Sequence, residues 1–154
     1  MDYKKLYAEK LVSAEKAASV VKSGDWVDYG WTTGTPVAVD AAIAKRLPEL
    51  ENVNFRGGIL MWVPEIFKIE NPAAHMTWNS WHMSGIERKA IAQGFSFYAP
   101  IRYSELPRYY RESATKPDVA VFQVAPIGRA RLFQLRTKCF PYGSLLSRLP
   151  RLSS

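Results

Sequence analysis

The sequence has no acidic residue after Asp118, although six basic residues follow it, between Arg129 and Arg151. These six supply most of the formal charge of +7, because the other 15 of the 21 basic residues are balanced by 14 acidic ones. A surface that binds nucleic acid normally carries its basic residues across the folded domain. The charge distribution therefore argues against a nucleic-acid-binding domain, and function has to be sought in residues 1–126.

Cysteine, histidine and long apolar runs are also scarce. Cys139 is the only cysteine and His75 and His82 are the only histidines, so an internal disulfide is excluded and no metal site is expected. No stretch approaches the roughly 18 consecutive apolar residues of a membrane span, and the N-terminus lacks the apolar core of a signal peptide. With 154 residues, 47% of them hydrophobic, we expect one cytoplasmic globular domain.

Helical and strand patterns alternate along the first 126 residues. Apolar residues recur at helical spacing over 13–22, which predicts a helix there. They recur again after Thr35-Pro36, where we expect the N-cap and first position of a second helix. Further helices are predicted near 85–93 and 104–112. The predicted strands are Trp26–Gly30, Val53–Ile59, Met76–Asn79, Phe95–Tyr98 and Val119–Ala125. This order predicts an α/β fold with an open, largely parallel sheet flanked by helices. The continuous apolar run at Val119 predicts a central strand.

The segment from Gly30 to Pro36 joins the first strand to a helix and carries two glycines and three threonines. In open α/β sheets such a turn often contacts a ligand, because glycines allow close approach and helix N-termini attract anions. The spacing fits neither a phosphate-binding P-loop nor a dinucleotide fingerprint. The sequence supports two interpretations about equally. One is an ordinary tight turn, and the other is ligand contact by Gly34, Thr35 and Pro36.

Other segments allow a functional and a structural interpretation. Met61-Trp62-Val63-Pro64, after Gly57-Gly58, fits a cover over the core better than the wall of an acyl pocket. Glu87-Arg88-Lys89 is typical of a solvated helix face, within which Arg88 is the candidate anion contact.

Residues 1–126 resemble the N-terminal half of the acetyl-CoA hydrolase/transferase family, and within it the butyryl-CoA:acetate CoA-transferases. The resemblance is carried by a set of segments spread over this whole region: Lys10–Glu15, Val21–Asp25, Gly34-Thr35-Pro36, Asn52–Glu65, Arg88, Gly94, Pro100, Ser104–Pro107 and Asp118–Pro126. It implies a sheet of the CoA-transferase (NagB/RpiA) type and an active site in a cleft between two similar halves.

The resemblance also implies a reaction in which CoA passes between a short-chain acyl-CoA such as butyryl-CoA and a carboxylate such as acetate. In that chemistry a glutamate carboxylate attacks the thioester, and the resulting enzyme thioester passes CoA to the incoming acid. No glutamate here matches the family's catalytic motif, which belongs to its C-terminal half. We therefore expect no catalytic residue and no metal in this chain, no bound cofactor beyond CoA as substrate, an inactive fragment, and a homo-oligomeric parent enzyme.

After Pro126 the family resemblance is expected to end. The family usually continues with M-D-x-H-G-Y-F-N-F-G-P-N-A-S-H, whereas this chain continues from Ile127 without a regular pattern. Permitted codons for Ile127–Ser144 can be written so that deleting one base from the Ile127 codon restores M-D-E-H-G-Y-F-N-F-G-P-N-A-S-H. We therefore divide the chain into an incomplete N-terminal CoA-transferase domain at 1–126 and a frameshifted, disordered tail at 127–154.

Two alternatives remain open from the sequence. One is a small α/β module whose basic tail binds nucleic acid or an anionic membrane surface, although the tail lacks dense basic clusters. The other is a free-standing CoA-binding or hydrolytic domain.

Overall fold

The computed structural model describes residues 3–113 and 115–124. Five parallel strands form one sheet in the order β4-β3-β2-β1-β5. The strands are β1 (Trp26–Tyr29), β2 (Val53–Gly57), β3 (Met76–Ser80), β4 (Ser96–Tyr98) and β5 (Val119–Val121). The helices are α1 (Tyr3–Lys10), α2 (Ala14–Ala18), α3 (Val37–Arg46), α4 (Pro72–His75), α5 (Gly85–Ala92) and α6 (Leu106–Glu112). The α/β fold with a parallel sheet is confirmed.

Both faces of the sheet are covered, and alternation along each strand decides which residues enter which core. Val27 and Tyr29 of β1 and Phe55 of β2 lie in the larger core, which also contains side chains from α2, α3 and α5. On the opposite face, Leu106 and Tyr110 of α6 belong to a smaller cluster with Trp31 and Trp81. The sheet is therefore doubly wound, with α6 on the side opposite α3 and α5.

Strand β5 differs from its sequence prediction. It pairs with β1 on one side, and within residues 3–113 and 115–124 it forms the edge of the sheet. Val119, Ala120 and Val121 are only half-buried, so the prediction of a central strand is wrong for this part of the chain. An apolar run reports burial on both faces, but it cannot report whether a strand has neighbours on both edges. The predicted extension of β5 to Ala125 and the tail at 127–154 lie outside the described residues.

Candidate active site at the carboxyl edge of the sheet

The strand order places a topological switch point between β1 and β5. The chain proceeds from β1 through β2 and β3 to β4 in one direction, then returns to place β5 on the other side of β1. The crevice at such a switch point, beyond the carboxyl ends of the strands, is where open α/β sheets bind ligands. The segment Gly30–Pro36, singled out from the sequence, lies at this position.

The loop after β1 is closed by its own backbone and by β5. Gly30 donates its N–H to the Val121 carbonyl at 2.8 Å, and the Gly34 carbonyl accepts the Gln123 N–H at 2.7 Å. A Cβ on Gly30 would lie 1.9 Å from the Gly34 oxygen and 2.9 Å from Phe122 Cβ. Only glycine fits there, so Gly30 allows the loop to fold back against β5.

Inside this loop a buried hydroxyl and a strained residue fix the backbone. The Thr35 hydroxyl lies 3.0 Å from both the Gly30 and the Thr32 carbonyl oxygens, between which its proton is shared. Thr32 has a φ of +48°, a left-handed conformation that is unfavourable for a β-branched residue. Such strain persists where surrounding contacts over-determine the backbone, and it clusters at functional sites.

Gly34, Thr35 and Pro36, the predicted contact residues, are all buried in the structure. Pro36 is the N-cap of α3, and the Thr35 hydroxyl binds loop carbonyls instead of capping the helix, so the expected cap is wrong by one residue. The exposed side chain of the loop is Thr33, which the sequence analysis did not single out. The three predicted residues therefore shape the loop, and Thr33 is its exposed side chain.

Arg88 is exposed on α5, as the sequence predicted. Helix α5 packs against β4, and two strands separate β4 from β1. The prediction of a solvated side chain is wrong for its neighbour Glu87, which is fully buried. Glu87 accepts hydrogen bonds from the Ser84 N–H at 2.8 Å and the Leu60 N–H at 3.0 Å.

The loop after β2 forms the next part of the same edge. Gly58 packs tightly, since a Cβ there would lie 3.2 Å from the His82 nitrogen. The loop then presents three consecutive apolar side chains, Met61, Trp62 and Val63, which are 60%, 36% and 45% exposed. The interpretation of this segment as core cover holds for Pro64, which is buried, but is wrong for these three exposed side chains. Leu60 and Val63 also line a cavity of about 560 Å³ that extends to Lys89 on α5.

A buried ion pair lies on the α6 face of the sheet, behind this edge. Arg56 is 1% exposed and binds Asp28 through two hydrogen bonds, of 2.9 and 3.0 Å. Burial raises the pKa of the Asp28 carboxyl, and the adjacent Arg56 opposes that increase. A smaller cavity of about 240 Å³ lies beside Arg56 and Trp81. In the described ranges no cluster of three or more His, Cys, Asp or Glu side chains is placed to bind a metal.

The family model of the acetyl-CoA hydrolase/transferase N-terminal domain matches residues 1–144. This chain belongs to that family. The match extends beyond residue 126, where the sequence analysis placed the domain boundary, and that boundary remains a prediction. Family membership leaves the alternative of a basic binding module without support.

Curated relatives are CoA-transferases. The butyryl-CoA:acetate CoA-transferase of Anaerostipes caccae is 60% identical over 133 residues, which cover 86% of this chain and 30% of that protein. A probable butyrate:acetyl-CoA coenzyme A-transferase of Syntrophomonas wolfei is 39% identical over 134 residues, which cover 85% of this chain and 30% of that protein. The chain thus spans about 30% of the length of these relatives.

Among solved structures, RipA from Yersinia pestis matches with a TM-score of 0.74 at 22% identity, covering 86% of this chain and 33% of RipA. The 4-hydroxybutyrate CoA-transferase of Porphyromonas gingivalis matches with a TM-score of 0.55 at 19% identity, and the match covers 83% of this chain and 28% of that protein. These likenesses confirm the fold. No helix within 3–113 and 115–124 has the length and apolar character needed to cross a membrane.

Proposed function

We propose that this chain supplies the N-terminal part of an enzyme that exchanges CoA between butyryl-CoA and acetate. The observation that carries the proposal is the 60% identity to a butyryl-CoA:acetate CoA-transferase over 86% of the chain. The coarser activity, transfer of CoA, is common to the names of the other curated relatives. The proposed enzyme acts in the cytoplasm, as a homo-oligomer and without a bound cofactor.

In this proposal the loops after β1 and β2 form one wall of the acyl-CoA cleft. Thr33 offers a hydroxyl at the switch point, while Gly34, Thr35 and Pro36 hold its backbone in place. Met61 and Trp62 offer apolar surface on which a butyryl chain loses contact with water, which favours binding by about 0.8 kcal/mol per buried methylene group. The exposed guanidinium of Arg88 is a suitable partner for a phosphate of CoA.

Three glutamates in the described residues, Glu65, Glu87 and Glu105, are poor candidates for the nucleophile that attacks the thioester. The Glu87 carboxyl is buried and occupied by backbone N–H groups. Glu65 and Glu105 form exposed i,i+3 pairs with Lys68 and Arg108. We propose that the nucleophile belongs to the remaining part of the enzyme and that the 154-residue chain alone does not transfer CoA.

The central experiment is equilibrium binding of butyryl-CoA and CoA to the 154-residue chain, together with an assay of CoA exchange between butyryl-CoA and acetate. We expect saturable binding, tighter for butyryl-CoA than for CoA, and no exchange. Failure to bind either compound would contradict the proposed cleft wall. Exchange by the purified chain would contradict the assignment of the nucleophile elsewhere.

A separate proposal concerns residues 127–154, which we propose are read out of frame because of one extra base in the Ile127 codon. It is supported by the recovery of the family stretch on removing that base. Independent resequencing of the DNA from the Pro126 codon tests it. A sequence lacking the base and continuing in an open frame would show a reading error, and a sequence retaining it would show a disrupted gene. Codons that encode the family stretch in no frame would overturn the proposal.

A further inference from the structure

The loop after β2 is attached at both ends to buried carboxyl groups of the flanking helices. At its start, Glu87 of α5 accepts the Leu60 N–H at 3.0 Å. At its end, Asp40 of α3 accepts the Glu65 N–H at 2.6 Å. The Glu87 and Asp40 side chains are 0% and 2% exposed. The exposed apolar segment Met61-Trp62-Val63 therefore lies between two buried attachment points.

Neither carboxyl group forms an ion pair in the described part of the chain. Burying a carboxylate is costly unless hydrogen bonds satisfy it, and here the donors are backbone N–H groups and hydroxyls. Glu87 accepts from Ser84 at the start of α5, and Asp40 accepts from the Tyr29 hydroxyl at 3.3 Å. Each carboxyl thus connects the loop to an element that is already fixed, a helix start or a core strand.

The loop backbone needs such attachment because Ile59, beside Leu60, has a φ of +48°. A β-branched residue is strained in this left-handed region, and the strain persists only while surrounding contacts hold the backbone. The Ile59 N–H donates to the His82 carbonyl at 2.8 Å, which adds a third attachment. Strain at this point is consistent with a loop held in a conformation that its own sequence does not favour.

We propose that Asp40 and Glu87 are positioning residues that hold the loop after β2 so that Met61 and Trp62 contact the acyl group of the substrate. The inference rests on the proposed function for the identity of the ligand, whereas the attachment of the loop rests on the hydrogen bonds alone. Neither residue touches the ligand. Both act through the backbone N–H groups of Leu60 and Glu65.

Backbone amide exchange in the 154-residue chain tests the attachment directly. Glu87→Met removes both acceptor oxygens at similar size, and we expect exchange of the Leu60 amide to accelerate at least about tenfold, since bonds to charged groups contribute about 1.5–3 kcal/mol. Exchange of the Glu65 amide should change much less. Asp40→Leu, which removes both acceptor oxygens of that side chain at similar size, should show the reverse pattern. Glu87→Gln, which keeps one acceptor, should lie between wild type and Glu87→Met.

The ratio of affinities for butyryl-CoA and CoA then distinguishes positioning from a general structural role. General loosening of the protein lowers the affinity for both ligands alike, whereas displacement of the apolar loop removes only the contact with the acyl chain. We expect Glu87→Gln to reduce the preference for butyryl-CoA about fivefold while CoA affinity changes less than about twofold. Amides of Phe55 and Trp78, in the core of the sheet, serve as internal references for intact folding.

Glu65→Gln is the matched control, because its side chain is exposed and pairs only with Lys68 among the described contacts, while its backbone N–H still reaches Asp40. It should change neither amide exchange nor the affinity ratio. Unchanged Leu60 exchange in Glu87→Met would overturn the attachment. Faster exchange with an unchanged affinity ratio would overturn the positioning role. If the wild type binds neither compound, the proposed function fails, and with it the acyl contact, whereas amide exchange still decides the attachment.

Discussion

The loops after β1 and β2 lie side by side at the carboxyl edge of the sheet but are fixed in different ways. The β1 loop is closed by glycine geometry and main-chain hydrogen bonds to β5, and Gly34, Thr35 and Pro36 are buried. The β2 loop is attached through the side chains of neighbouring helices and exposes Met61 to Val63. One edge of the sheet therefore combines a loop closed by its own backbone with a loop that exposes an apolar segment.

The largest effect is expected at the closure of the β1 loop. Gly30→Ala would place a Cβ 1.9 Å from the Gly34 oxygen, which is backbone and cannot move aside cheaply. We expect the free energy of unfolding to fall by more than about 4 kcal/mol, measured by denaturant titration. Gly85→Ala is the control, since a Cβ there meets nothing within 4 Å. Equal stability of the two variants would show that Gly30 does not close the loop.

The next effect concerns the attachment of the β2 loop and its dependence on pH. Burial raises the pKa of Asp40 above its ordinary value of 3.8, against the opposing effect of backbone hydrogen bonds. The folded state therefore binds this proton more tightly than the unfolded chain does. As a result, the Asp40 carboxyl makes the free energy of unfolding fall as the pH rises from about 3.8 through the raised pKa.

Asp40→Asn should remove that part of the pH dependence. It should also cost about 1–3 kcal/mol at neutral pH, because one buried donor loses its acceptor. Denaturant titration of both proteins between pH 4 and pH 8 measures the two effects. Asp28 is present in both proteins, so its contribution to the pH dependence cancels in the comparison. A variant whose stability falls with pH as steeply as that of the wild type would refute the role assigned to Asp40.

A smaller effect is expected inside the β1 loop. Thr35→Val keeps the shape of the side chain but removes the hydroxyl between the Gly30 and Thr32 carbonyls. The expected loss is about 1–2 kcal/mol of unfolding free energy. The exposed neighbour Thr33 provides the control, because Thr33→Val should change stability by less than about 0.5 kcal/mol. Similar losses at both positions would argue against a specific role of the buried hydroxyl.

The smallest change in stability is expected on the exposed surface of the β2 loop. Met61 is 60% exposed, so Met61→Ser should alter the unfolding free energy by less than about 0.5 kcal/mol. Its affinity for butyryl-CoA should nevertheless fall about threefold, because apolar area is lost from the proposed cleft. Titration calorimetry with butyryl-CoA and CoA measures the difference. Loss of affinity for both ligands would place the contact outside the acyl chain.

Local patterns predicted most of the fold. The alternating strands, the periodic helices and the glycine-containing turn after β1 are properties of short segments, and all appear in the structure. The edge position of β5 was missed because pairing depends on distant strands. The strained backbones of Thr32 and Ile59 also had no sequence signal, since β-branched residues ordinarily avoid left-handed φ.

The candidate site was predicted less completely. Glu87 was assigned to a solvated face, although Ser84 three residues earlier forms a capping-box pattern with it and gave a usable signal. Asp40 gave none, because Glu65, to whose N–H it binds, lies 25 residues further along the chain. Contacts between helices and distant loops arise only from packing, and this explains why the attachment of the β2 loop emerged from the structure alone.

The most direct test of the account is to map butyryl-CoA onto the chain by nuclear magnetic resonance, following backbone amide shifts during titration. We expect the largest saturable shifts at Thr32 and Thr33 and from Leu60 to Val63, at the carboxyl edges of β1 and β2. Shifts confined to the α6 face around Arg56 and Trp81, with the two loops unaffected, would contradict the account.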